Sequence, residues 1–192
     1  MVRYMVGGDK VRVLLLESIH PDAVHRLEAA GCRIESVPQA LDEPELLRRV
    51  KGVHLLGVRS KTQVTSRVIA AGSQLLGVGA FCIGTDQVDL AAATRAGIGV
   101  FNAPFSNTRS VVELALAEIL ALTRRLTEKN AAMHAGRWDK SAAGSHEVRG
   151  RALGIVGYGN IGAQLSVLAE SLGMRVYFHD TADKLVLGNA ER

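Results

Sequence analysis

Along the first hundred residues, short apolar runs alternate with amphipathic stretches at a spacing that predicts strand–helix units. Residues 11–16, apolar but for Arg12, predict a parallel strand buried on both faces. His20, Pro21 and Asp22 open a helix that runs to Ala30 and stops at Gly31. Residues 32–37 read as a weaker strand, 43–50 as a short helix starting near Pro44, and 53–58 as a strand. Thr65, with Ser66 beside it, caps a helix to Ala71, and 75–79 form another strand. An amphipathic helix over 88–96 ends at Gly97, and 98–101 are a short strand. Strands and helices alternating in this way predict a parallel sheet with helices on both faces.

A turn-rich stretch over 102–107 leads into a long helix, from Thr108 or Ser110 to His134. Its apolar positions Val111, Leu114, Ala115, Ile119, Leu122 and Leu126 predict a wide buried stripe. A polar loop to Gly150 follows, then a second strand–helix–strand pattern over 153–178. The crossover places one domain at 1–101 and a second at 102–192.

That last pattern carries the clearest chemistry. Gly157, Gly159 and Gly162 form a GxGxxG between an apolar run and a helix, and Asp180 lies eighteen residues beyond at the tip of the next run. Gly157 permits the tight turn, Gly159 lets a pyrophosphate approach the backbone, and Gly162 lets helix and strand pack closely. The helix start offers free amides to phosphates. Asp180 is placed to accept bonds from the adenosine ribose, and its charge disfavours a 2′-phosphate, so NAD is expected over NADP. Only twelve residues follow Asp180, too few for the remaining strands of such a fold. The chain therefore reads as a piece of a longer protein or as a natural truncation.

Composition narrows the classes. Hydrophobic residues at 47% and charged residues at 22% suit an ordinary α/β protein, and the most apolar segment is interrupted by Glu113 and Glu118, which excludes a membrane span there. No export signal is read at the amino terminus, so a cytoplasmic protein is expected. Cys32 and Cys82 fit no metal-ligand spacing and are expected to be reduced thiols. The net charge of +4 comes from scattered basic residues not interleaved with aromatics, which argues against nucleic acid.

Six segments make the chain resemble the D-2-hydroxyacid dehydrogenase family: LLGVRSKT at 55–62, AFCIGTDQVDL at 80–90, FNAPFSNTRSV at 101–111, RWDKSAAGS at 137–145, RALGIVGYGNIG at 151–162 and KLVLGNA at 184–190. The resemblance implies a flavodoxin-like parallel-sheet substrate domain, followed by the first βαβ unit of an incomplete Rossmann NAD-binding domain, with the active site in the cleft between them. It implies that Arg59, Ser60, Lys61, Ile83, Gly84, Asn107, Thr108 and Lys140 bind substrate. Cofactor contacts fall to Gly157, Tyr158, Gly159, Asn160, Ile161, Gly162 and Asp180. Arg59, Lys61 and Lys140 together favour a phosphorylated acid, so 3-phosphoglycerate or a related 2-hydroxy acid such as glycerate or lactate is the implied substrate. A homo-oligomer through the NAD domain is implied, with the long helix and Trp138 at the contact. The family's carbonyl-polarising Arg and Glu-supported His correspond to positions beyond residue 192, so no catalytic residue is assigned here, and the six histidines are expected to be structural or surface groups. A non-catalytic protein that binds a dinucleotide or dimerises is the alternative from another class.

Overall fold

Helix signals and strand runs settle into two units, one ending at Ser106 and the other spanning Asn107–Arg192, in a computed structural model that describes residues 5–6 and 9–192. Residues 1–4 and 7–8, part of the stretch read for an export signal, lie outside the described residues.

The first unit opens with a short antiparallel pair, β1 (Met5–Val6) and β2 (Asp9–Lys10). Then come β3 (Arg12–Leu16), α1 (Pro21–Ala29), β4 (Arg33–Val37), α2 (Glu43–Arg49), β5 (Leu55–Val58), α3 (Ser66–Ala71), β6 (Gly77–Ala80), α4 (Leu90–Arg95) and β7 (Gly99–Asn102). The strands pair in parallel in the order β4-β3-β5-β6-β7. Side-chain alternation divides the core between the two faces. Leu14, Leu16, Leu56, Val58 and Val78 pack with Leu46 and Val50, Val68 and Ile69, and Ala92 and Ala93 of the α2–α4 layer. Val13 and Leu15 pack on the other face with Ile19, Cys32 and the apolar side of α1.

Side-chain caps fix the starts of three helices, and α4 begins two residues later than the 88–96 expected from the sequence. The Asp42, Thr65 and Asp89 side chains accept from Glu45, Val68 and Ala92 amides at 2.9, 3.4 and 2.8 Å. Gly31 and Gly97 take the left-handed conformation that ends α1 and α4, at φ +88° and +69°. β5 and β6 begin two residues later than the apolar pattern gives. Val53 and Leu75 are buried ahead of the pairing, with their amides bonded in turns to Val50 and Gly72.

Beyond α1, one face of the sheet is thinly covered among the described residues. Its inward positions are Gly57, Gly77, Gly79 and Gly99, and Phe81 and Phe101 lie across them beside a groove of about 300 Å³.

In the second unit, residues 108–134 do not form one helix. α5 (Thr108–Thr123) ends, Arg125 turns left-handed at φ +53°, and α6 (Leu126–His134) begins. The loop after α6 holds this break. The His146 amide donates to Thr123 O at 2.8 Å, Ser145 Oγ to Arg124 O at 3.3 Å, and Arg125 Nη1 to Ala143 O at 2.9 Å. Carbonyls left orphaned at a helix end are thereby satisfied. The wide buried stripe is also narrower than its spacing suggests. Val112 and Ile119 face the core, whereas Leu114, Leu122 and Leu126 are 60%, 74% and 60% exposed. Within this unit only α7 offers α5 a broad surface to cover.

β8 (Ala152–Val156), α7 (Asn160–Ser171) and β9 (Arg175–His179) form a parallel βαβ unit with Ile155 opposite Phe178. Ile155, Val176, Phe178, Met174 and Ala169 build its core. The final residues clasp it. Asn189 N donates to both Glu170 carboxylate oxygens at 3.0 Å, and Glu191 exchanges main-chain bonds with Phe178 and Val176 at 2.8 and 2.9 Å, alongside β9.

Candidate functional site

The strand order in the first unit reverses between β3 and β5, and ligands of open parallel sheets bind at the carboxyl ends of strands flanking such a switch point. Arg59, Ser60 and Lys61 follow β5 directly and are exposed at that edge. Glu17 and Ser18 follow β3, and between them and Arg59–Lys61 lies a cavity of about 550 Å³.

Glu17 was not a candidate from sequence, because a single acid after an apolar run reads as a surface residue. It is in fact buried, and its carboxylate gathers the loop that carries Arg59. Oε1 accepts from the Arg59 and Thr62 amides at 3.2 and 2.9 Å, and Oε2 from the Lys61 amide at 3.0 Å. Burial pushes this carboxyl up, but the donors on the loop outweigh it, and the net shift is downward. The backbone donors carry that shift, since the Thr62 hydroxyl is buried without a partner of hydrogen-bond geometry.

The same edge continues across β6. Gln87, also buried, donates from Nε2 to Arg59 O at 2.5 Å, and Asn102 Nδ2 donates to Ile83 O at 2.6 Å. These bonds tie the Ile83–Gly84 turn and the Arg59 loop to one rim. The Ile83 and Gly84 amides meet no acceptor among the described residues. A Cβ at Gly84 would lie 3.1 Å from an Asp86 carboxylate oxygen, so the turn is close to a negative charge as well.

The remaining candidates belong to the second unit. Asn107 stands at the N-cap of α5 without a side-chain capping bond and is exposed, whereas Thr108 is buried with its hydroxyl unpartnered. Lys140 is exposed on the loop after α6, next to the Lys129–Asp139 pair. The three cations are therefore divided, two in the first unit and one in the second.

The glycine motif has the geometry a pyrophosphate requires. Gly157 has φ +95°, and a Cβ on Gly157 or Gly159 would meet nothing within 4 Å, leaving open space above the backbone. A Cβ on Gly162 would lie 2.3 Å from Gly157 O, so only glycine lets α7 approach β8 so closely. α7 has no side-chain cap, so its first amides, including those of Asn160 and Ile161, are available as donors. The residues present thus fit a dinucleotide. Tyr158 turns its side chain away from the glycine turn. Its ring is buried, stacked on Phe178 with centroids 3.9 Å apart, and its hydroxyl bonds Ser166 Oγ at 2.7 Å. Asp180 accepts from the Tyr158 amide at 2.8 Å and the Ala182 amide at 3.0 Å. The Ala182 amide, then the Tyr158 amide with Lys184 and His179 nearby, outweigh desolvation and hold this carboxyl below its usual range. Each oxygen keeps a further lone pair for a hydroxyl donor.

Among the described residues, no group of three His, Cys, Asp or Glu is disposed to hold a metal, and no helix is long and apolar enough to cross a membrane. The sequence profile of the D-isomer specific 2-hydroxyacid dehydrogenase catalytic domain matches residues 13–184. The chain belongs to that family. Among curated relatives it is 56% identical over 184 residues to D-3-phosphoglycerate dehydrogenase of Haemophilus influenzae, covering 95% of this chain and 45% of that protein. It is 53% identical over 191 residues to D-3-phosphoglycerate dehydrogenase of Escherichia coli K12, covering 99% of this chain and 47% of the relative. The chain thus spans just under half the length of the relatives it matches. Among solved structures, the TT0316 protein of Thermus thermophilus superposes with a TM-score of 0.85 at 31% identity, over 93% of this chain and 59% of that one. D-lactate dehydrogenase of Aquifex aeolicus, complexed with NAD and lactic acid, shares the fold at a TM-score of 0.78 and 22% identity, over 90% of this chain and 52% of that one.

Proposed function

We propose that this 2-hydroxyacid dehydrogenase chain is the N-terminal portion of a cytoplasmic NAD-dependent D-3-phosphoglycerate dehydrogenase, which oxidises 3-phosphoglycerate to 3-phosphohydroxypyruvate at the start of serine synthesis. The observation that carries this reading is the cationic rim of Arg59, Ser60 and Lys61 around the switch-point cavity, in a chain whose close relatives bear that enzyme's name. Arg59 can hold a carboxylate or phosphate through two parallel N–H bonds, and Lys61 and Lys140 add charge for a dianionic phosphate. The Ile83 and Gly84 amides offer donors to the substrate carboxylate. In the second unit the Gly157–Gly162 turn and the α7 amides hold the cofactor's pyrophosphate, and Asp180 its ribose. Bound there, NAD would supply the acceptor for the hydride on C2 of the hydroxy acid. The acid–base step is assigned to no residue of this chain. His54 is buried with Nδ1 accepting from the Arg12 amide, His20 caps α1, and His134 bonds Asn130 O within α6. The 192 residues alone are accordingly expected to bind without turnover. The exposed apolar side of α5, with Trp138, supports homo-oligomer contacts through this unit.

The test compares NADH formation by the protein from its source cells with 3-phosphoglycerate, D-glycerate and D-lactate. A clear preference for 3-phosphoglycerate is expected, and Arg59→Ala should raise its KM on the order of 10- to 100-fold. Equal kcat/KM for the unphosphorylated acids, or an unchanged KM in the variant, would overturn the substrate assignment.

A further inference from the structure

Glu17 and Ser18 are successive residues in the left-handed region, at φ +64° and +51°. Crowding at Cβ makes that conformation costly for any residue but glycine, and it persists only where surrounding bonds impose it. The bonds here are those of Glu17 itself. Its carboxylate takes three amides from the 59–62 loop, its carbonyl accepts from Arg59 Nη1 at 3.5 Å, and its amide donates to Gln39 O at 3.2 Å. Clustered amides facing one concavity ordinarily make an anion site. In this protein the concavity is filled by the chain's own carboxylate. The Arg59, Lys61 and Thr62 amides are therefore closed to a ligand, and recognition of an anion falls to the exposed side chains of Arg59, Ser60 and Lys61. With Gln87 gripping Arg59 O from the other side, the loop is fixed before any ligand arrives, which removes an ordering cost from binding.

We propose that Glu17 is a positioning residue: by holding the 59–62 loop from within, it sets Arg59 and Lys61 in the arrangement that receives the anionic substrate. This rests on the assignment of Arg59 and Lys61 to substrate binding made above. Glu17 needs no contact with the substrate, and its charge is met by three N–H dipoles.

The experiment measures KM for 3-phosphoglycerate and for NAD in the protein from its source and in Glu17→Gln. The variant keeps the side chain's size but turns an NH₂ group toward the loop, so at least one loop amide loses its acceptor. The expected result is a rise in KM for 3-phosphoglycerate on the order of tenfold, with KM for NAD and kcat unchanged. Added to the double variant Arg59→Ala/Lys61→Ala, the substitution should bring little further loss, because it acts through those two residues. An unchanged KM for 3-phosphoglycerate, or an equal rise in both KM values, overturns the proposal. Failure of the functional reading is distinguishable, since the unaltered protein would then show no affinity for 3-phosphoglycerate, and the proposal would fall with it. Should the variant not fold, hydrogen exchange in the unaltered protein decides. Protection of the Arg59, Lys61 and Thr62 amides without substrate supports preorganisation, and rapid exchange until 3-phosphoglycerate is added overturns it.

Discussion

Replacing Gly162 by alanine and replacing Gly159 by alanine add the same methyl group three residues apart, yet they should fail in different ways. At Gly162 the new Cβ would sit 2.3 Å from Gly157 O and 3.1 Å from Ile155 Cγ2. The first contact is with backbone, so no rotamer change relieves it. Reaching even 3.0 Å requires α7 and the glycine turn to separate by about 0.7 Å, the difference between those two distances. Overpacking of this kind costs about 1–3 kcal/mol. In a unit of this size each kcal/mol shifts Tm by about 4–8 °C. Calorimetry should therefore show Gly162→Ala melting at least several degrees early, before any ligand is considered. At Gly159 the backbone is ordinary, with φ −85°, and the Cβ meets nothing within 4 Å. Gly159→Ala should keep its stability to within about 0.5 kcal/mol but lose NAD affinity, because the methyl group occupies space the pyrophosphate needs. Titration calorimetry with NAD reads the second effect. A Gly162→Ala protein as stable as the unaltered one, or a Gly159→Ala protein that binds NAD equally well, would refute the assignment of separate tasks to these glycines.

Two further outcomes are expected. The folded Glu17 carboxyl titrates below its ordinary value of 4.5, so its stabilising bonds are complete above that pH and are lost as pH falls through the lower folded value. The urea midpoint should accordingly fall more steeply on acidification below about pH 4.5 in the unaltered protein than in Glu17→Gln, and parallel curves would contradict this. Leu122, 74% exposed on α5, can be changed to lysine with a stability effect within about 0.5 kcal/mol. Light scattering should then show a smaller assembly, and an unchanged mass would remove α5 from the oligomer contact.

The alternation of apolar runs and capped helices made the five-stranded parallel sheet legible, because each signal is local. Apolar strands, Asp and Thr caps and left-handed glycines act within a few residues of where they stand. The glycine motif was legible for the same reason, each glycine answering a steric demand of its own turn. Other features depend on distant partners. No glycine or proline marks the break at Arg125, which is imposed by bonds from residues 143–146, far along the chain. The spacing of Leu114 and Leu122 shows that they can be buried together, not that a surface is there to bury them. Nothing local to the motif marks that Phe178 and Ser166 draw the Tyr158 ring into the core. Glu17 was the largest omission. The one trace in the sequence is a charge set immediately after a run of buried leucines, before the chain has left the sheet, and that trace has meaning only once the 59–62 loop is known to lie against it.

The clasp made by residues 189–191 makes the second unit depend on one short segment for the cover of its strand edge. Ala190 is 7% exposed and belongs to the core, while Glu191 shields the outer edge of β9 through its main chain. A change that drew residues 189–191 away from β9 would expose Ala190, release the Glu170 carboxylate from Asn189, and uncover strand N–H and C=O groups able to pair with another chain, so this one short segment stands between a well-behaved unit and a self-associating one.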